Sequence, residues 1–427
     1  MAARWAWFFF SLHVLSLLLS VAATQAFLAA ATLAYLIHLL RIRPRVSFPP
    51  VKLPLFLYCL ATVNSVLWAE HPAVGWAAVR KLVLFLILLL SANLVSSTRH
   101  LGALFRGLFL VAALAGLLAT AQFVIQYHSV RHLHPDRVYD YMTLTRIHGF
   151  MGHWMNFGGQ QMLLFSALLA FLLLSASVAK GFPAGQEGKA KGLYWLVMAV
   201  VATSLVLNFT RGVWLGCILA TLYIVARWKP RTLWAIPFLL VVAYVAGPSL
   251  IRRRVSLAFH PREDPALAIR LEMWSTGLRM VREHPWVGVG PGNIPLVYAQ
   301  YLPPGTTPMV GYHDHLHDNF LQMAAERGLP CMIAWVWFML AFGGQILRIR
   351  RRVSSQRWVA DAAFAAWLAF LAEGFFEFNF GTSPVLMVFL FVMSTPFVAG
   401  QLESREQEAN APALVEQPGG AATVSDC

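Results

Sequence analysis

Twelve apolar runs, separated by polar or charged stretches, divide the chain at approximately 5–21, 24–40, 51–69, 74–95, 104–126, 155–177, 193–210, 212–227, 232–250, 329–347, 358–376 and 385–401. Runs of roughly 17–25 apolar residues are long enough to cross a bilayer as helices, so the pattern predicts an all-α polytopic protein of about 12 transmembrane helices. Two gaps in it are long, about 127–154 and 251–328. Residues 1–250 thus hold nine spans and the first long loop, 251–328 a large extramembrane helical subdomain, 329–402 the last three spans, and 403–427 a tail rich in Pro, Gly, Ala and Ser that is expected to be disordered. Within the large segment a helix is expected from about Ala266 to His284, with Leu267, Arg270, Trp274, Leu278 and Val281 near one face.

Composition agrees with the pattern. With 58% hydrophobic and only 12% charged residues, the chain lacks the charge that a water-facing surface needs, which excludes an ordinary soluble enzyme. Charge also orients it. Alternate connections carry Arg41, Arg43, Arg45 and Lys52, then Arg99 and Arg106, then Lys180, Lys189 and Lys191, then Arg227, Lys229 and Arg231, then Arg348, Arg350, Arg351, Arg352 and Arg357. Short basic loops stay in the cytoplasm, so both termini are expected inside and both long segments outside. The first 26 residues also read as a signal peptide ending at Val21-Ala22-Ala23-Thr24, but a second apolar run follows at once, which favours a retained helix. Four cysteines, three of them in spans, make no disulfide framework. The formal charge of +14 is less easily dismissed. Arg80, Lys81, Arg131, Arg137, Arg146, Arg211, Arg270 and the Arg252 to Arg254 triplet fall on the outer side, against the usual bias, and a basic outer face fits an anionic ligand. The triplet itself reads as a stretch at the headgroup surface.

The densest chemistry lies between Gly311 and Gly328, G-Y-H-D-H-L-H-D-N-F-L-Q-M-A-A-E-R-G. A helix is expected here with Asp314 as N-cap and Gly328 as its end. His317 would then sit in the first turn, where the positive end of the helix dipole disfavours an imidazolium and leaves a neutral ring as a base. Three readings compete for the cluster: a metal site from His313 and His317 with Asp314 or Asp318, a solvated cap without chemistry, and a general base for a sugar hydroxyl at His317. The first is weakened because the helix would start too late to align both rings. Arg211, wedged between two apolar runs, is costly there unless it faces a cavity or a partner, and Thr210 beside it could cap the following helix. Of Arg80 and Lys81, adjacent on span four, only one can face the bundle, and Lys81 is favoured. Glu373 and Glu377 lie one helical turn apart near the expected outer surface. The outer loops contain no D-x-D pair of the kind that bridges a metal to a pyrophosphate.

These residues carry a resemblance. His315-Leu316-His317-Asp318-Asn319-Phe320-Leu321-Gln322, continued by Glu326-Arg327-Gly328, resembles the signature of the bacterial O-antigen ligase and polymerase superfamily, with Asp318 where the family most often has Asn. Asn208 to Gly212 is similar to its S-R element. Arg270 with Trp274, followed by H-P-W-V-G-V-G-P-G-N, is similar to its R-x-x-x-W and glycine-rich segment, and Arg146 with Gly149 to its R-x-x-G element. The resemblance implies an inverting glycosyltransferase of the bacterial inner membrane, with a periplasmic active site and neither metal nor cofactor. It implies a glycan donor on undecaprenyl pyrophosphate, a lipid A–core acceptor, surrounding membrane lipids and no nucleic acid. It further implies His317 as base, His315, Asp318 and Asn319 in support, and Arg211, Arg270, Arg146, Lys81 and Arg80 around the pyrophosphate. Related members instead polymerise lipid-linked repeats or glycosylate protein. A transporter of lipid-linked oligosaccharide is the alternative from another class, although charged residues gathered at span ends rather than at mid-membrane argue against it.

Overall fold

A computed structural model describes residues 1–175, 187–260, 264–303, 305 and 314–410. Every regular element among them is helical, and each of the twelve apolar runs overlaps a helix. Among the described residues six helices are long and apolar enough to cross a membrane: Val21–Ile42, Pro72–Leu94, Thr98–Leu133, Trp154–Leu174, Asn319–Arg352 and Ser383–Asn410. Shorter apolar helices cover Lys52–Leu67, Lys191–Leu207 and Pro230–Ala246. The chain is therefore a multi-pass membrane protein. Thr98–Leu133, with 36 residues, is about 54 Å long at 1.5 Å per residue, well beyond the roughly 30 Å of hydrocarbon in a bilayer.

Ser383–Asn410 is the centre of the bundle. A helix apolar all round has no face to give to solvent and is buried; here Val385 to Met393 are almost entirely covered, packed against Leu86–Leu94, Trp154–Leu174 and Arg357–Glu373. It continues to Asn410, so the first residues of the expected disordered tail are helical, and those beyond lie outside the described residues. Ala235–Ala246 has no buried residue, as expected of a helix whose neighbour is lipid.

The segment before Asn319–Arg352 is fixed to it at a break. Gly328, the expected helix end, has φ 81° and ψ 166°, and the axis kinks there. The break, with the proline at 330, deprives the Ala325 and Glu326 carbonyls of their usual partners. The amides of Val289 and Gly290 bond to them instead, at 2.9 and 2.8 Å, while Leu329 N donates to Pro285 O at 2.8 Å. This requires two backbones in contact: a Cβ on Gly328 would lie 2.3 Å from the Trp286 carbonyl oxygen, and one on Gly288 2.3 Å from the Glu326 carbonyl carbon. Gly328→Ala is expected to destabilise by about 1–3 kcal/mol from backbone strain alone, with the clash adding to it. The measurement is thermal unfolding in detergent, and an unchanged midpoint would remove the proposed need for glycine.

Candidate active site

The histidine stretch is a loop rather than a first helical turn. Residues Asp314 to Asp318 are not helical, and the helix begins at Asn319 with Asp318, not Asp314, as N-cap. Asp318 Oδ1 accepts from Leu321 N at 2.7 Å. Two further bonds hold the preceding residues outside the helix: Gln322 Oε1 accepts from Leu316 N at 2.7 Å, and Trp274 Nε1 donates to Leu316 O at 3.2 Å. His317 takes a left-handed conformation, φ 51°, which is strained for a non-glycine residue. Its ring therefore precedes the helix, and the dipole argument gives way to a direct contact.

That contact is Glu377. His317 Nδ1 lies 3.0 Å from Glu377 Oε2 and His315 Nε2 2.9 Å from Oε1, with the two ring centroids 4.1 Å apart. Glu377 and Glu373 are both buried, a correction to their expected place near the surface. Burial alone would raise the Glu377 carboxyl, but the two imidazoles that bond to it hold it well below the usual carboxylate range. Burial likewise pushes the His315 imidazole down, and the bond to Glu377 more than offsets it, leaving a raised value. Burial raises the Asp318 carboxyl against its backbone hydrogen bonds.

Asn319 joins the segment that carries the histidines to the one that carries Glu377. Its N–H donates to Gly374 O at 2.7 Å, its Nδ2 to Asn379 Oδ1 at 2.6 Å, and its Oδ1 accepts from Phe380 N at 3.2 Å. Gly374 permits the approach, since a Cβ there would lie 2.4 Å from Asn319 Nδ2.

His317 opens onto a cavity of about 410 Å³ shared with Arg146, Arg253, Arg254 and Arg270. An adjoining cavity of about 340 Å³ adds Arg211 and Glu377. Arg146 donates to Thr143 O at 2.8 Å and lies over the Trp154 ring. Burial first, then the charges of Arg254, Arg270 and Arg211, lower its guanidinium to about 9. Arg270 reaches Phe376 O at 3.3 Å, and its Nε is buried without a hydrogen-bond partner among the described residues. Arg211 pairs with Asp264, which also caps the helix Pro265–Glu283. Thr210 precedes the helix that starts at Arg211 but does not cap it with its side chain; its hydroxyl faces Arg146 at 3.5 Å.

Three of the expected arginines, Arg146, Arg211 and Arg270, thus share cavities at the histidine pair. Lys81 and Arg80 do not join them. Lys81 Nζ donates to Gly381 O at 2.7 Å and lines a separate cavity with Asp314 and His315, whereas Arg80 lines a lateral groove. Glu377, Arg253 and Arg254 are candidate site residues that the sequence reading did not select. Arg254, expected at the headgroup surface, is buried and donates to Phe209 O at 3.0 Å.

The nitrogen atoms of His315 and His317 and a Glu377 oxygen lie within 4.8 Å of one another, a donor set that could also hold a divalent cation. The metal pairing weighed from sequence involves His313, which lies outside the described residues.

Fold and site together define a helical multi-pass membrane protein with a carboxylate-bound histidine pair beside a cationic cavity. Residues 196–336, about a third of the chain, match the family model described as O-antigen ligase, which supports membership of the O-antigen ligase superfamily, a superfamily of membrane glycosyltransferase type. No curated protein matches the chain. The match takes in His315, His317, Arg211, Arg254 and Arg270, and ends before Glu377.

Proposed function

We propose that the protein is an inverting, metal-independent glycosyltransferase that moves O-antigen polysaccharide from undecaprenyl pyrophosphate to lipid A–core on the periplasmic side of the inner membrane. The observation that carries this reading is His317, bonded through Nδ1 to a buried carboxylate while its ring lines the arginine cavity. With the Nδ1 proton directed at Glu377, the Nε2 lone pair is left to accept a proton. The acceptor hydroxyl gives that proton to Nε2 as its oxygen bonds to the anomeric carbon. The bond from that carbon to the pyrophosphate oxygen breaks, and its electron pair stays on the leaving group. Arg146, Arg254 and Arg270 neutralise the charge that develops there, with Arg211 held beside them by Asp264. His315 shares the carboxylate, and Asp318 and Asn319 hold the loop. A single displacement inverts the anomeric centre. Metal independence is supported by the arginines of the cavity, which offer the pyrophosphate the positive charge that a divalent cation would otherwise supply.

Purified protein in detergent, given undecaprenyl-pyrophosphate-linked glycan and lipid A–core, is expected to yield the glycosylated acceptor by mass spectrometry, with undiminished yield in EDTA. A transporter would give no product, and loss of product in EDTA would sink the metal-free mechanism. Product formed only with a second lipid-linked repeat or with a protein acceptor would reassign the chain within its superfamily. Hydrogen bonds to a charged group are worth about 1.5–3 kcal/mol, so Arg270→Ala is expected to raise the donor KM about 10–100-fold, whereas the exposed Arg131→Ala leaves it near wild type. Equal effects would mean diffuse surface attraction in place of a site.

A further inference from the structure

Three features not used by the mechanism meet at Lys81. One is a cavity of about 320 Å³ on the His315 side of the histidine pair. The second is a groove of about 700 Å³ between the helices Val21–Ile42 and Pro72–Leu94, with Leu28, Leu33, Leu36 and Val83 in its walls. The third is the pair Arg80 and Lys81, which lines the groove, with Lys81 reaching the cavity as well. The lining charges set the two sides of the histidine pair apart. On the His317 side, four guanidinium groups, Arg146, Arg253, Arg254 and Arg270, face two carboxylates, Asp140 and Asp264. On the His315 side, Lys81 and Arg327 are matched by Asp314 and Glu326. The first balance suits a pyrophosphate. The second suits an uncharged, hydroxyl-rich sugar and gives an extended anion little advantage.

We infer that the Lys81 cavity and its groove form the acceptor site: the groove seats the acyl chains of a phosphorylated glycolipid, Arg80 and Lys81 meet its phosphate, and its sugar enters the cavity toward His315. This rests on the glycosyl-transfer reading above, and stereochemistry links the two. In a single inverting displacement the nucleophile and the leaving group stand on opposite faces of the anomeric carbon. His317, as the base, stands where the nucleophile forms, so the acceptor hydroxyl reaches it past His315, while the pyrophosphate lies beyond the anomeric carbon among Arg146, Arg254 and Arg270. His315 then stands next to the incoming sugar, and Glu377 connects it with the base. Lys81 and Arg80 thereby move from the donor, where the sequence put them, to the acceptor.

Two variants test this, each by separate KM values for undecaprenyl-pyrophosphate-linked glycan and for lipid A–core. Ala29→Trp fills the groove from an exposed position, which spares the fold, and Lys81→Ala removes the cation at its inner end. Both are expected to raise the acceptor KM at least tenfold and to leave the donor KM within about twofold of wild type. A rise in donor KM with the acceptor KM unchanged would overturn the assignment and give the groove to the polyprenyl chain. Unchanged values for both substrates would overturn it as well. Failure of the wild-type protein to form product would instead overturn the glycosyl-transfer reading, so the two failures are told apart in one experiment.

Discussion

His317→Ala is expected to lower glycan transfer by about 10²–10⁴-fold, the usual loss when a positioned general base is removed, without reducing the amount of folded protein in the membrane. The expectation follows from geometry. The ring is partly exposed to the arginine cavity, and among the described residues its hydrogen bond is with Glu377, so truncation removes a proton acceptor without emptying a packed core. The check is initial rate in the detergent assay, with the amount of folded protein matched by size-exclusion profile. His317→Gln, which keeps bulk and polarity but accepts no proton at neutral pH, belongs beside it. Near-normal rates in both variants would take His317 out of the mechanism.

Glu377→Gln is expected to have a comparable effect by another route. The carboxylate does not touch the reacting atoms; it is a positioning residue that holds two rings at once. A glutamine of the same size offers one oxygen and one NH₂ where Glu377 offers two acceptors, so at least one imidazole must turn over or lose its bond. The residue is also buried, where a bond to a charged acceptor is worth more than one between neutral partners. We expect kcat to fall about 10²-fold or more with donor KM little changed. Glu377→Asp, which keeps the charge on a shorter arm, should recover part of the rate. A merely structural role predicts something else: loss of thermal stability that tracks loss of activity, and no recovery with aspartate.

The fold was legible to the extent that hydropathy determines it. Every apolar run became a helix because length and composition leave a lipid-embedded chain few other ways to satisfy its backbone. The break at Gly328 was also readable, from a glycine at a helix end followed by a proline. The helix start was not. Asp314 and Asp318 are equally good caps in isolation, and the choice is made by the Gln322 side chain, which takes the Leu316 amide. Arg146, Arg211 and Arg270 could be found because a cation on the outer side or at a span junction needs a reason. Arg254 was hidden in a basic triplet, although Leu250, Arg254 and Leu257 share one face of the helix Ser249–Phe259, and that spacing was the available signal. Glu377 had no local signal, because an acid after two phenylalanines at the end of a span reads as an interfacial residue. Its partners lie about sixty positions earlier and meet it only through tertiary contacts.

That separation matters for hybrids of this chain with its relatives. Both imidazoles lie inside the stretch that matches the family model, and their counter-charge lies beyond it, on the final hairpin. A chimaera spliced between residues 336 and 373 would keep the histidine signature intact, yet its turnover would depend on whether the incoming C-terminal piece carries an acid at the same height in the bundle.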